Sequence, residues 1–154
     1  MEENVKKAVE LAARSLARSE QCRAGLERKL LQKEFDSAAI KEALDFLEEK
    51  KYLDDARYAS SWIRAHCALK PRGRIRLISE LCARGVAREI CVKAVDSYFE
   101  TVDEYELCFQ ALKKLILKKR NEKNILKSLA DSGFSYKIIM RVLKKEEGLG
   151  IGTE

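Results

Sequence analysis

The sequence predicts an all-α protein of three tandem three-helix repeats stacked into an elongated, curved body. Apolar residues recur at helical spacing along nearly the whole chain. One proline, seven glycines and 7% aromatic residues among 154 give too little punctuation for a strand-rich fold, while 46% hydrophobic and 36% charged residues suit helices with wet outer faces. One pattern of apolar positions also occurs three times, and each copy carries the same turn.

Nine helices are expected, over residues 4–18, 22–33, 37–50, 55–69, 72–84, 87–99, 103–118, 122–132 and 136–147. In the first, Val5, Ala8, Val9, Ala12 and Leu16 line one face, and in the second Leu26, Leu30 and Leu31 do so. Asp36 can cap the third, whose stripe is Ile40, Leu44 and Leu47. Asp54 can cap the fourth, Asp55 favours the positive end of its dipole, and Tyr58, Trp62, Ile63 and Leu69 form its apolar stripe. Pro71 fits just outside the fifth helix or in its first turn. Leu77 and Leu81 face its core side, and Gly85 ends it in a left-handed terminus followed by Val86. The sixth carries Ile90, Cys91 and Val95. Thr101 and Glu104 have the spacing of a capping box for the seventh. Asn121 can cap the eighth, which holds Ile125 and Leu129 and stops at Gly133 before Phe134. Ser135 can cap the ninth, with Ile138, Ile139 and Leu143 on its apolar face.

The repeat aligns on Leu30, Leu81 and Leu129. Leu26, Leu77 and Ile125 stand four residues earlier, and Phe35, Val86 and Phe134 five residues later. Beyond the turn come the pairs Ala39–Ile40, Ile90–Cys91 and Ile138–Ile139, then Leu44, Val95 and Leu143. Periodicity alone would not reproduce both the turn and the paired positions after it. The expected organisation is therefore 1–50, 51–100 and 101–147 as three-helix repeats, with 148–154 as a flexible tail.

Composition also excludes functions. Neither a zinc knuckle nor a complete disulfide framework is signalled, because Cys22, Cys67, Cys82, Cys91 and Cys108 are odd in number and form no CxxC pair. Reduced thiols packed as small apolar groups are expected instead. The acidic amino end lacks the layout of a secretory signal, and no stretch reaches the roughly 18 apolar residues of a membrane span, so a cytoplasmic protein is expected. His66 is the single histidine, and its helical neighbour Cys67 points in another direction. Asp54 and Asp55 read as helix-start residues rather than as a catalytic pair. There is no GxxxxGK loop and no GxSxG elbow. No catalytic residue, metal site or cofactor is expected.

The middle of the chain reads Tyr52-Leu53-Asp54-Asp55-Ala56-Arg57-Tyr58-Ala59-Ser60-Ser61-Trp62-Ile63-Arg64, then Gly73-Arg74-Ile75-Arg76-Leu77-Ile78-Ser79-Glu80-Leu81, then Arg84-Gly85-Val86. In order and spacing these segments resemble the RecX family, and the resemblance extends from about Leu16 to Leu143. Four positions depart from the usual pattern. Cys22 stands where a capping Ser is common, Gly25 where Glu is common, Glu34 where Gly is often found, and Arg74 where Pro often follows Gly73. The first repeat is thus the least typical. The resemblance implies three tandem three-helix repeats, binding to RecA filaments, and modulation, usually inhibition, of RecA's strand exchange, ATP hydrolysis and coprotease functions.

The charge pattern is compatible with that role. With 31 Lys and Arg against 25 Asp and Glu, the net charge is +6 and the pI near 9.1, which suits an acidic protein surface or a polyanion. Arg72, Arg74, Arg76, Arg84, Arg88 and Lys93 form one basic cluster, and Lys113, Lys114, Lys118, Lys119, Arg120, Lys123 and Lys127 a second. Acidic stretches lie at Glu42, Asp45, Glu48, Glu49, Asp54 and Asp55, and at Asp96, Glu100, Asp103, Glu104 and Glu106. The expected partner surface comprises Arg72, Arg74, Arg76, Arg84, Arg88, Lys113, Lys118, Lys119 and Lys123, with the acidic stretches facing elsewhere. The partner that the resemblance implies is a RecA-type recombinase filament; single- or double-stranded DNA is a further candidate, and no membrane is expected. The alternative is an autonomous basic DNA-binding protein of helix-turn-helix type.

Overall fold

The computed structural model describes the backbone of residues 1–149 and the side chains of residues 1–145. Among the described residues it is all-helical: α1 (Glu3–Arg18), α2 (Arg23–Gln32), α3 (Ser37–Glu49), α4 (Asp55–Leu69), α5 (Arg74–Ala83), α6 (Arg88–Thr101), α7 (Glu104–Leu117), α8 (Glu122–Asp131) and α9 (Tyr136–Leu149). Of the expected flexible tail, 148–154, the first two residues belong to helix α9, and residues 150–154 lie outside the described residues. No described helix is long and apolar enough to cross a membrane.

The chain divides into two compact units, one formed by Met1–Trp62 and Leu81–Ala94, the other by Ile63–Glu80 and Val95 onwards. Helices α4, α5 and α6 each contribute to both. In the first unit, Val5, Ala8 and Ala12 of α1 pack with Leu26 and Leu30 of α2, with Ile40, Ala43, Leu44 and Leu47 of α3, and with Leu53. In the second, Cys108, Phe109 and Leu112 of α7 pack with Ile125 and Leu129 of α8 and with Phe134, Ile139 and Val142. The anchors Leu30, Leu81 and Leu129 are completely buried. Two residues read as apolar stripe face solvent instead: Leu31 is 52% and Leu69 83% exposed.

Most helix ends follow the local chemistry of the sequence. Asp36 Oδ1 accepts from the Ala39 N–H at 2.8 Å, Asp54 Oδ1 from Arg57 at 3.1 Å, Asn121 Oδ1 from Asn124 at 2.9 Å and Ser135 Oγ from Ile138 at 3.3 Å. The Thr101–Glu104 capping box does not form. Thr101 is the last residue of α6 and donates to the Tyr98 carbonyl at 3.3 Å, while Asp103 caps α7 through the Tyr105 N–H at 2.9 Å. Pro71 lies three residues before α5. The repeated turn is a left-handed terminus in all three copies: Phe35, Val86 and Phe134 donate to the carbonyls of Leu30, Leu81 and Leu129 at 3.2, 3.2 and 3.3 Å. The residue before each has positive φ, 67° at Glu34, 97° at Gly85 and 94° at Gly133.

The turns at Gly85 and Gly133 join successive repeats, and each junction falls within one unit. In the first unit the Arg84 carbonyl accepts from Cys22 Sγ and from Arg28 Nη2, both at 3.5 Å, and a Cβ on Gly85 would overlap that of Ala24. In the second unit Gly73 donates its N–H to Ser132 at 2.8 Å and Ile75 to Gly133 at 3.2 Å, and a Cβ on Gly133 would overlap that of Arg76. Cys22 and Gly73, Ala24 and Ile75, Arg84 and Ser132 stand at matching offsets from their anchors. The same pairs of positions thus meet at both junctions, through the Cys22 side chain at one and the Gly73 backbone at the other.

Candidate binding interface

At each junction an acidic residue from the following repeat caps the second helix of the preceding one. Asp55 Oδ1 accepts the backbone N–H of Arg23, the first residue of α2, at 2.8 Å, and Glu104 Oε2 accepts that of Arg74, the first residue of α5, at 2.8 Å. Asp55, in the first turn of α4 as expected, therefore serves α2 as well as its own helix. Burial raises its carboxyl above the ordinary range, against the pull of the Arg23 N–H. The arginines answer with their side chains. Arg23 pairs with Asp45 at 2.8 Å and Glu48 at 3.1 Å, while Arg74 pairs with Asp96 and, at 4.0 Å, with Glu104. Lys41 and then Arg23 hold the Asp45 carboxyl below its usual range. Where these two junctions have arginine and aspartate, the third repeat has Glu122 and Lys144, and α8 is capped by its own Asn121.

These pairs correct the expected surface, because acidic residues meet several of its arginines instead of facing elsewhere. Arg72 is only 13% exposed, lies 3.4 Å from Glu80 and donates to the His66 carbonyl at 2.7 Å. Arg74 is neutralised as described and lies over Phe99 at 5.4 Å. Arg76 donates to Glu80 at 2.7 Å and to the Asp131 carbonyl at 3.4 Å. Arg84 lies over the Trp62 ring at 5.3 Å, and Lys113 over Phe109 at 4.7 Å. Arg88, Lys118, Lys119 and Lys123 are exposed.

Within the second unit the structure gathers a different set of cations. A groove of about 530 Å³ is lined by Lys70, Arg76, Lys114, Lys118 and Arg120, with Leu69, Pro71, Ala111 and Leu115 as its apolar surface and Asp131 as its one acid. Lys70, Lys114, Lys118 and Arg120 form no ion pair with a described residue, so their charge is available to a partner. Helix α7 ends here in a left-handed turn at Lys119, φ 56°, with Arg120 donating to the Leu115 carbonyl at 3.3 Å. The clustered lysines also sit favourably at the negative end of the α7 dipole. Of the nine expected surface residues, only Arg76 and Lys118 line this groove. Lys114 and Arg120 belong to the second sequence cluster without having been singled out, and Lys70 belonged to neither. Its signal was the Leu69-Lys70-Pro71 step, a cation held just past a helix end by the proline that follows.

Among the described residues no group of His, Cys, Asp or Glu could hold a metal ion. Residues 8–47 match the model of the RecX first three-helix domain, and residues 54–95 that of the RecX second three-helix domain. The chain is 32% identical over 136 residues to the regulatory protein RecX of Treponema pallidum (strain Nichols), covering 88% of this chain and 83% of that one. It is likewise 32% identical over 143 residues to regulatory protein RecX of Vibrio parahaemolyticus, with 90% of each covered. The crystal structure of RecX from Lactobacillus salivarius superposes with a TM-score of 0.83 at 22% identity, over 94% of this chain and 97% of that one. A second RecX crystal structure gives 0.80 at 18% identity, over 92% and 72%.

Proposed function

The chain belongs to the RecX family of regulatory proteins, and from that premise we propose that it docks on a RecA-type recombinase filament and lowers the filament's activity without catalysing a reaction itself. The observation that supports this most is the basic groove of the second unit. It holds four cations without a described ion-pair partner around an apolar surface, a combination that attracts an acidic partner and retains it after contact. Repeated helical units suit a polymer, since adjacent repeats can meet adjacent subunits and raise avidity without tighter single contacts. The cytoplasm, where a recombinase works, is the compartment that goes with this reading.

The test is recombinase ATP hydrolysis on single-stranded DNA, titrated with the wild-type chain and with a Lys114→Glu, Lys118→Glu, Arg120→Glu variant at two salt concentrations. The variant is expected to inhibit at least tenfold less well at low salt, with the difference shrinking as salt screens the groove. Undiminished inhibition by a folded variant would remove the groove from the interface. Tight wild-type binding to bare DNA, with no effect on the filament, would instead identify an autonomous DNA-binding protein.

A further inference from the structure

Two of the five cysteines meet. Cys82 on α5 and Cys91 on α6 place their Sγ atoms 3.7 Å apart, on either side of the turn at Gly85. In the other repeats the matching positions hold Leu31 and Ile40, and Ala130 and Ile139. The middle repeat thus replaces both members of an apolar pair with thiols. The Cys82 thiol donates to the Cys91 sulfur, and Cys91 donates to the Val86 carbonyl at 3.5 Å. Cys82 is partly exposed while Cys91 is completely buried, so a reagent in solution reaches Cys82 first.

We propose that Cys82 and Cys91 are an oxidisable dithiol that a hydroperoxide converts into an intramolecular disulfide. The sulfurs need to approach by only about 1.7 Å to reach bonding distance, a displacement within reach of side-chain rotation. Cys82 sulfur attacks one oxygen of the hydroperoxide. The O–O bond breaks, water or an alcohol leaves, and Cys82 becomes a sulfenic acid. The Cys91 sulfur then attacks that sulfur. The S–S bond forms, the S–O bond breaks, and the departing hydroxide takes the Cys91 proton as water. Two thiols lose two electrons and the hydroperoxide gains them. Burial, and then the neighbouring Cys82, holds the Cys91 thiol protonated, which agrees with Cys82 as the attacking group and Cys91 as the resolving one. The product closes a loop over residues 83–90, which contains the exposed Arg84 and Arg88. This inference does not depend on the filament reading.

The experiment treats the full chain with a small excess of hydrogen peroxide, alkylates remaining thiols under denaturing conditions and maps the peptides by mass spectrometry. The expected result is loss of two hydrogens from the intact mass, one Cys82–Cys91 linked peptide pair, alkylated Cys22, Cys67 and Cys108, and full reversal by dithiothreitol. Cys91→Ala should leave a dimedone-reactive sulfenic acid on Cys82, and Cys82→Ser should give no linked pair. Cys82 driven to the sulfinic acid while Cys91 stays alkylatable would overturn the proposal, as would a link from Cys82 to any other cysteine.

Discussion

The turn after α2 and the turn after α5 share backbone handedness and hydrogen bonds, yet one is built on Glu34 and the other on Gly85. A left-handed residue that is not glycine costs about 1–2 kcal/mol, a penalty a folded repeat can absorb. Handedness therefore does not explain why glycine stands at Gly85 and Gly133. The neighbour does: Ala24 packs where a Cβ on Gly85 would lie, and Arg76 where a Cβ on Gly133 would lie. Glu34 is exposed, and a side chain there has room. Glycine marks the turns that form junctions, and the departure at Glu34 is a consequence of its place in the array.

Substitutions can break that comparison at its strongest point first. Gly85→Ala and Gly133→Ala should each lose about 2–5 kcal/mol in urea unfolding, combining the left-handed penalty with overpacking. A loss no larger than the left-handed penalty would mean that the neighbour yields and the junction account is wrong. Leu81→Ala should cost a similar amount, about 2–5 kcal/mol, because that side chain is completely buried.

The cross-repeat caps come next. Asp55→Ala should cost about 1 kcal/mol by leaving the Arg23 N–H without its acceptor, whereas Asp55→Asn keeps an acceptor and should be close to neutral. Stability against pH separates this carboxylate from Asp45. Asp55 has a raised native pKa, so the native state binds its proton more tightly than the unfolded chain, and its contribution falls as pH rises through the carboxylate range. Asp45 has a lowered native pKa, so its contribution is present above the ordinary carboxylate range and is lost as pH falls. Urea midpoints between pH 3 and 7, roughly the span over which carboxylates titrate, should show Asp55→Asn and Asp45→Asn tilting the profile in opposite directions. The same tilt from both would refute the assignment of these shifts.

Smaller still, Glu34→Gly should stabilise by about 0.5–1 kcal/mol, since glycine relieves the left-handed strain and nothing packs on that turn to be lost. Destabilisation would show that Glu34 makes a contact that matters. The least effect is expected in the groove, where Lys118→Glu and Arg120→Glu should each shift stability by no more than about 0.5 kcal/mol. A large loss there would make those cations structural and weaken their claim to a partner.

Helices, caps and turns were legible in the sequence because their chemistry is local. An Asp36 that caps Ala39, or a Phe134 that bonds back to Leu129, is decided within a few residues, and the apolar offsets around Leu30, Leu81 and Leu129 repeat that local logic three times. Left-handed ends at Glu34, Lys51 and Lys119 were missed because only glycine advertises that conformation. Tertiary structure decided what lies across space. Asp55 finds Arg23 over 32 positions and Glu104 finds Arg74 over 30, so charges that read as free patches are spent on one another. Leu69, Lys70, Lys118 and Arg120 share a groove because the ends of α4 and α7 are brought together by packing. Periodicity fixes which face of a helix is buried, but the pairing of exposed ends depends on how whole helices cross, and no short stretch of sequence encodes that angle.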